Sequence, residues 1–202
     1  MVSTIAEPSH TRTAVRLAWA TIAWNVVEAV VAIAAGTAAG SIALVGFGLD
    51  STVEVMSATV IVWQFRGLAE ARERRALRLI ALSFFALATY VAIQAIIDLA
   101  SESEPDPSAV GIGLAVASLI VMPLLARMKR RTAARMGSAT VLADSNQTKL
   151  CAYLSAILLG GLILNATVGW WWADPVAAIV ISALAVNEGR QAWRGEVCDD
   201  CG

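Results

Sequence analysis

The segment GSIALVGFGLDSTVEVMSATVIVWQF, residues 40–65, decides how this chain is interpreted. It is long and apolar enough to cross a membrane as a helix, yet it contains Asp50 and Glu54. Each carboxylate at the centre of a bilayer costs about 2.5–3.5 kcal/mol. A spacing of four residues places both side chains on the same face of a helix. Two converging carboxylates in a low-dielectric interior predict a site for a cation.

The apolar residues of the chain are concentrated in long segments. Of its 202 residues, 58% are hydrophobic and 15% are charged, whereas a soluble domain has about 45–50% and about 25%. Each segment has about the 20 residues that a helix needs to cross a bilayer, and the shorter alternating strands of a membrane barrel are absent from the sequence. The segments are residues 17–35, 41–65, 79–100, 109–126, 139–166 and 168–186. The sequence therefore predicts an all-α membrane protein with six transmembrane helices.

The first apolar segment resembles a signal peptide only superficially. Its apolar run is longer than the 7–15 residues typical of a signal peptide, and it contains Asn25 and Glu28. We therefore expect a permanent helix. The predicted organisation is an N-terminal segment (1–16), a six-helix transmembrane domain (17–189) and a short tail (190–202).

The basic residues are distributed unevenly between the predicted connections. Residues 66–78 contain five arginines, and residues 127–138 contain four arginines and Lys129. The alternate connections (36–40, 101–108 and 167–173) contain no Lys or Arg. This pattern predicts that both termini are cytoplasmic, in a plasma (inner) membrane. The basic residues are interpreted as determinants of topology, which argues against binding of nucleic acid.

Further polar residues lie on single faces of the predicted helices. Asn25 and Glu28 share a face of the first helix, although Asn25 is also suited to hydrogen bonding between helices. In the fifth helix, Asp144, Gln147 and Cys151 lie along one stripe at spacings of three and four residues.

Other residues have structural interpretations. Lys149 is expected to point away from the polar stripe of the fifth helix, either extending to the interface or pairing with an acid on a neighbouring helix. Asp174, which precedes Pro175, fits the N-cap of the sixth helix. Four glycines are expected at close helix contacts. They are Gly46, Gly48, Gly160 and Gly161.

Three stretches together resemble the cation diffusion facilitator family. SIALVGFGLDSTVEVM (41–56) is similar to the family's second helix, in which Asp50 and Glu54 fall on the ligand positions. In the fifth helix the family usually has Ala-Asp followed by His and Asp four residues apart. Here ATVLADSNQTKLC (139–151) supplies Asp144, then Gln147 and Cys151 at those positions. GWWWADPVAAIVISAL (169–184) matches the tryptophan-rich start of the sixth helix, and the resemblance covers residues 17–193.

The chain departs from the family pattern in two ways. The family's C-terminal cytoplasmic domain is not evident, so the chain resembles the branch that consists of the transmembrane domain alone. The usual histidine is missing, because the one His in the sequence is His10. The resemblance implies a homodimer in the lipid bilayer that exports a divalent metal ion in exchange for H⁺, with no permanent cofactor.

The ligand set implied by the resemblance is Asp50, Glu54, Gln147 and Cys151. A thiolate favours Zn²⁺ or Cd²⁺, whereas oxygen ligands suit harder ions. We expect Zn²⁺ as the substrate, with Cd²⁺, Fe²⁺ and Mn²⁺ as alternatives. If Cys151 is only a small buried residue and not a ligand, oxygen atoms would complete the coordination shell of the metal. The site would then favour Mn²⁺ or Fe²⁺ as the substrate. The residues that could supply them, or a proton path, are Asn25, Glu28 and Asp144.

Two alternatives concern other kinds of function. Cys198 and Cys201 form a C-x-x-C pair in the tail that could capture a soft metal, or could be idle. The loss of the family's His and Asp is also compatible with a non-transporting membrane protein that senses metal or regulates a partner. An enzyme with Cys151 as its nucleophile is not expected, since no predicted helix contains a His to act as its base.

Overall fold

A computed structural model describes residues 8–64, 70–137 and 139–194, and within these ranges it contains helices and no strand. The helices are α1 (Pro8–Ala39), α2 (Ile42–Gln64), α3 (Glu70–Ala100), α4 (Ala109–Met136), α5 (Ala139–Val168) and α6 (Ala173–Arg194). The predicted all-helical architecture is confirmed.

Four helices of the described residues are long and apolar enough to cross a membrane: Arg12–Ala39, Arg78–Ala100, Ala109–Met136 and Asp144–Val168. Large apolar side chains are exposed on their outer surfaces, including Val30, Leu79 and Ile120. Such a surface suits contact with lipid, so the chain is an integral membrane protein. Helices α2 and α6, which both carry acidic residues, are not among these four. The count of six transmembrane helices therefore stays a prediction.

The helices pack as three main pairs, which are α1 with α2, α3 with α6 and α4 with α5. Helix α2 also contacts α3, α5 and α6, and its Leu44 and Phe47 are completely buried. Because α2 has neighbours on several sides, its acidic residues face other helices rather than lipid.

Several helix ends differ from the predicted boundaries. Residues 127–136 are helical rather than part of a loop, because α4 continues to Met136. Gly137 ends α4 in the left-handed conformation (φ 59°), and its N–H donates to the carbonyl of Ala133. No glycine interrupts the chain between Gly113 and Gly137, and α4 accommodates Pro123 within it. The sixth helix begins at Ala173 rather than at 168, which belongs to the end of α5.

Glycines allow three of the helix contacts to be very close. A Cβ atom on Gly48 would lie 2.8 Å from Ile33 Cγ1, and one on Gly161 would lie 3.1 Å from Ala177 Cβ. Gly46 faces Val91 in the same way, at 3.1 Å. The prediction of close packing is confirmed for these three residues. It is wrong for Gly160, where no atom of another helix lies within 4 Å of the added Cβ.

Candidate metal site

Asp50 and Glu54 of α2 line the same small cavity as Gln147 and Cys151 of α5. The cavity has a volume of about 20 Å³, which is room for about one water-sized species. Asp50, Glu54 and Cys151 are all buried, with at most 8% of each side chain exposed. The structure therefore brings the four predicted ligands together, and their role as ligands stays a prediction.

The remaining wall of the cavity is mainly apolar and comes from α3, α5 and α6. Its apolar members are Phe84, Leu150, Leu154, Leu184 and Ala185. Such walls exclude water and strengthen electrostatic interactions inside the cavity.

Glu188 of α6 is a further acidic residue on the cavity wall, and the sequence analysis missed it. The sixth apolar segment of the sequence ends at residue 186, which predicts Glu188 beyond the transmembrane helix. The helix in fact continues to Arg194. Glu188 follows Leu184 and Ala185 by four and three residues, and this spacing could have placed it on the same face.

The acidic groups line the cavity without meeting at one point. In the described part of the chain, no three His, Cys, Asp or Glu side chains form a cluster that could hold a metal ion. The amide of Gln147 is the neutral oxygen donor on the wall.

Glu54 is connected to a buried lysine through a threonine. The Thr148 hydroxyl shares its one hydrogen between Glu54 Oε1 (3.1 Å) and the carbonyl of Asp144 (3.0 Å), and Lys129 Nζ donates to Thr148 Oγ1 (2.8 Å). Lys129 Nζ also forms an ion pair with Asp144 Oδ2 at 2.8 Å, and only 1% of the Lys129 side chain is exposed. Asp144 therefore lies beside the cavity, in an ion pair.

This arrangement corrects the interpretation of Lys129. The sequence predicts Lys129 as one of the basic residues that set topology, but it is buried between helices because α4 extends to Met136. Lys149 is exposed, as expected for a residue that points away from the polar stripe, and its Nζ lies 5.7 Å from the ring centroid of Tyr153. The cation that compensates a buried acid is thus Lys129.

Asn25 and Glu28 are completely buried on α1, beside the cavity residues. Glu28 Oε2 accepts a hydrogen bond from Ser51 Oγ (3.0 Å) and lies 3.9 Å from Cys151 Sγ. Cys151 therefore connects the cavity to Glu28. Asn25 instead donates to the carbonyl of Thr21, one turn earlier in its own helix.

Two other predictions have different outcomes. Cys198 and Cys201 fall outside the described residues. Asp174 lies in the first turn of α6, but its carboxylate accepts hydrogen bonds from Ser41 Oγ (2.5 Å) and Ala43 N (3.2 Å) at the start of α2. Its contacts therefore join α6 to α2 rather than capping its own helix.

The fold and cavity define a class of protein: a helical membrane protein that holds acidic side chains in a buried cavity between its helices. Comparison with known families makes this class specific. The model of the cation efflux transmembrane domain matches residues 76–194, which is more than half of the chain. The chain belongs to the cation efflux family, a family of transporters. The matched range contains Gln147, Cys151 and Glu188 and begins after Asp50 and Glu54.

Two curated proteins are similar over most of this chain. Transmembrane protein 163 of Xenopus laevis is 22% identical over 186 residues, which cover 90% of this chain and 66% of the relative. An uncharacterised transporter of Synechocystis sp. is 25% identical over 166 residues, which cover 77% of this chain and 54% of the relative. The chain thus spans just under two thirds of the first relative and about half of the second.

Proposed function

We propose that this protein exports a divalent metal ion, with Zn²⁺ as its main substrate, in exchange for protons. The observation that carries the proposal is the single buried cavity that Asp50, Glu54, Gln147 and Cys151 line together. Membership of the cation efflux family and the similarity to a transporter support it.

The charges around the cavity suit a divalent ion. Lys129 neutralises Asp144 through their ion pair, so the acids that remain to balance the metal are Asp50, Glu54 and Glu188, of which two in the ionised form match a divalent ion. Carboxylate oxygen and cysteine sulfur are both ligands of Zn²⁺. Cd²⁺, Fe²⁺ and Mn²⁺ are the alternative substrates. A carboxylate oxygen of Glu188 as an additional ligand would favour binding of the harder ions among them.

In the proposed exchange, a metal ion displaces protons from Asp50 and Glu54, and protons from the opposite side of the membrane later release it. Asn25 and Glu28 provide an additional buried position for a proton or metal, since Cys151 contacts Glu28. The resemblance to the cation diffusion facilitators also implies a homodimer.

We propose that the protein lies in the plasma membrane and that both of its termini are cytoplasmic. Described basic residues near the ends of α1, α3, α4 and α6 lie at one end of the antiparallel bundle, as positive-inside topology requires. They include Arg16, Arg78, Arg135 and Arg190. Labelling of single cysteines introduced in residues 101–108 with an impermeant reagent on intact cells tests this orientation.

Transport is tested in proteoliposomes that contain a Zn²⁺ dye or a pH dye. Asp50→Asn and Glu54→Gln are expected to lower the initial rate of Zn²⁺ flux at least about tenfold, equivalent to about 1.4 kcal/mol. Glu104→Gln is the matched control, because Glu104 is exposed in the connection before α4. A wild-type rate in both cavity variants would remove the site assignment, and Zn²⁺ flux without a pH change would refute proton coupling.

A metal sensor or regulator is the second candidate function. Gln147 and Cys151 stand where the family has His and Asp, and the described residues hold no three-group metal cluster. Wild-type protein that binds Zn²⁺ but gives no flux in vesicles would favour this function over transport.

A further inference from the structure

Lys129 is an unusual residue for the interior of a membrane protein. It is the one buried basic residue among the side chains that the structure describes, with 1% of its surface exposed. A lysine near the end of a membrane helix ordinarily extends its ammonium group to the interface. Lys129 instead directs its ammonium group between α4 and α5, toward the acidic residues.

The ammonium group of Lys129 reaches two acids. It forms the ion pair with Asp144 directly, and it reaches Glu54 through the Thr148 hydroxyl. Two consecutive hydrogen bonds, of 2.8 and 3.1 Å, therefore connect a fixed positive charge to a carboxylate of the cavity.

Asp144, with its partner Lys129, lies on the side of the cavity nearer to the basic end of the bundle, and Thr148 lies level with the cavity between Gln147 and Cys151. Helix α5 begins at that end with Ala139, so Asp144 and Thr148 precede Cys151 along the helix.

We propose that Lys129 is a tethered counter-cation, which competes with the transported metal ion for the negative charge of Asp144 and Glu54. This inference rests on the proposed function. A transport site must bind its ion strongly enough to capture it and weakly enough to release it. Repulsion from a fixed ammonium group in a low-dielectric interior lowers the affinity for a divalent ion and so favours release. Lys129 acts through other residues and is a positioning residue, not a ligand.

A competing cation and a structural ion pair predict different outcomes when the pair is broken. If the pair only stabilises the fold, losing either Lys129 or Asp144 leaves the other charge buried and unpaired. Both substitutions would then change the affinity for the metal in the same direction, by weakening it. If Lys129 competes with the metal, its removal strengthens metal binding, because Asp144 becomes free to attract the cation. Removal of the Asp144 charge weakens binding, because the ammonium group is left uncompensated.

The test measures Zn²⁺ binding to the purified full chain in detergent micelles by isothermal titration calorimetry. Lys129→Met is expected to lower the Kd for Zn²⁺ about tenfold and Asp144→Asn to raise it about tenfold, each about 1.4 kcal/mol. Lys149→Met is the matched control, since it removes an exposed lysine one residue after Thr148, and its Kd should equal that of the wild type.

Folding of each variant is checked by circular dichroism and gel filtration. If Lys129→Met does not fold, Lys129→Gln removes the charge while keeping a hydrogen-bond donor near Thr148, and the same decrease in Kd is expected. Shifts of Kd in the same direction for the Lys129 and Asp144 variants, or no shift, would overturn the inference while leaving the metal site intact. A wild-type protein that does not bind Zn²⁺ would overturn the metal site itself and this inference with it.

Discussion

The contact between Asp174 and the start of α2 allows a quantitative prediction for the substitution Asp174→Ala. The Asp174 carboxylate accepts one hydrogen bond from Ser41 Oγ and one from Ala43 N. Ser41 Oγ in turn accepts a hydrogen bond from Leu44 N at 3.1 Å. One side chain of α6 thus holds the first turn of the helix that carries Asp50 and Glu54.

The magnitude of the effect follows from the groups that lose their partners. A hydrogen bond to a charged group contributes about 1.5–3 kcal/mol, and Asp174 accepts two. The position of the carboxylate at the positive end of α2 adds about 0.3–1 kcal/mol. Removal of a buried carboxylate recovers part of its desolvation cost. We expect a net loss of about 3 kcal/mol in the free energy of unfolding.

Unfolding is measured by titrating dodecyl sulfate into mixed micelles and following tryptophan fluorescence and helical circular dichroism. Trp170 and Trp172, whose rings stack with centroids 5.0 Å apart, lie just before α6 and report on this region. Thr37→Ala is the control, because Thr37 is exposed and donates only to carbonyls of its own helix; its effect should stay within about 0.5 kcal/mol. A loss below about 1 kcal/mol for Asp174→Ala would show that its two hydrogen bonds are worth less than the charged-group values used here.

Three further predictions concern single substitutions. Gly161→Ala is expected to destabilise the bundle by about 1–3 kcal/mol in the same unfolding assay, whereas Gly160→Ala, with open space around it, should be neutral; equal effects would contradict the packing at α6. Asn165→Ala removes the 2.8 Å hydrogen bond from Asn165 Nδ2 to the carbonyl of Pro105. It should speed proteolysis of the connection between α3 and α4, and an unchanged cleavage rate would contradict this anchoring role. Cys151→Ser should weaken Cd²⁺ binding more than Mn²⁺ binding in calorimetry, because sulfur favours the softer ion; equal weakening would argue against a sulfur ligand.

The sequence predicted four residues of the cavity wall from two separate signals. The spacing of Asp50 and Glu54 placed them on one helix face, and the family resemblance added Gln147 and Cys151. All four line one cavity. The all-helical architecture was equally accessible, since it depends only on long apolar segments.

The missed residues share a physical cause. Helical periodicity identifies the face that a residue occupies, but it does not identify the neighbouring helix that this face meets. Lys129 lies in a run of basic residues, so its burial became apparent only when α4 was found to extend beyond the apolar segment. Glu188 was missed in the same way at the end of α6.

Asp174 illustrates a different limit of the sequence. Its position before Pro175 indicates a helix start, and α6 does begin at Ala173. Its hydrogen-bond partners lie more than 130 positions earlier in the chain, and no local pattern specifies a contact over that separation.

The hairpin of α4 and α5 makes the ion pair a matter of chain length as well as residue type. Lys129 precedes Gly137 by eight residues, and Asp144 follows it by seven. One residue inserted within either helical segment would rotate the more distant side chain by about 100° around its helix axis. Insertions and deletions between positions 129 and 144 should therefore be poorly tolerated. In other sequences, a Lys followed fifteen positions later by an Asp, with a glycine turn between them, would then indicate the same ion pair.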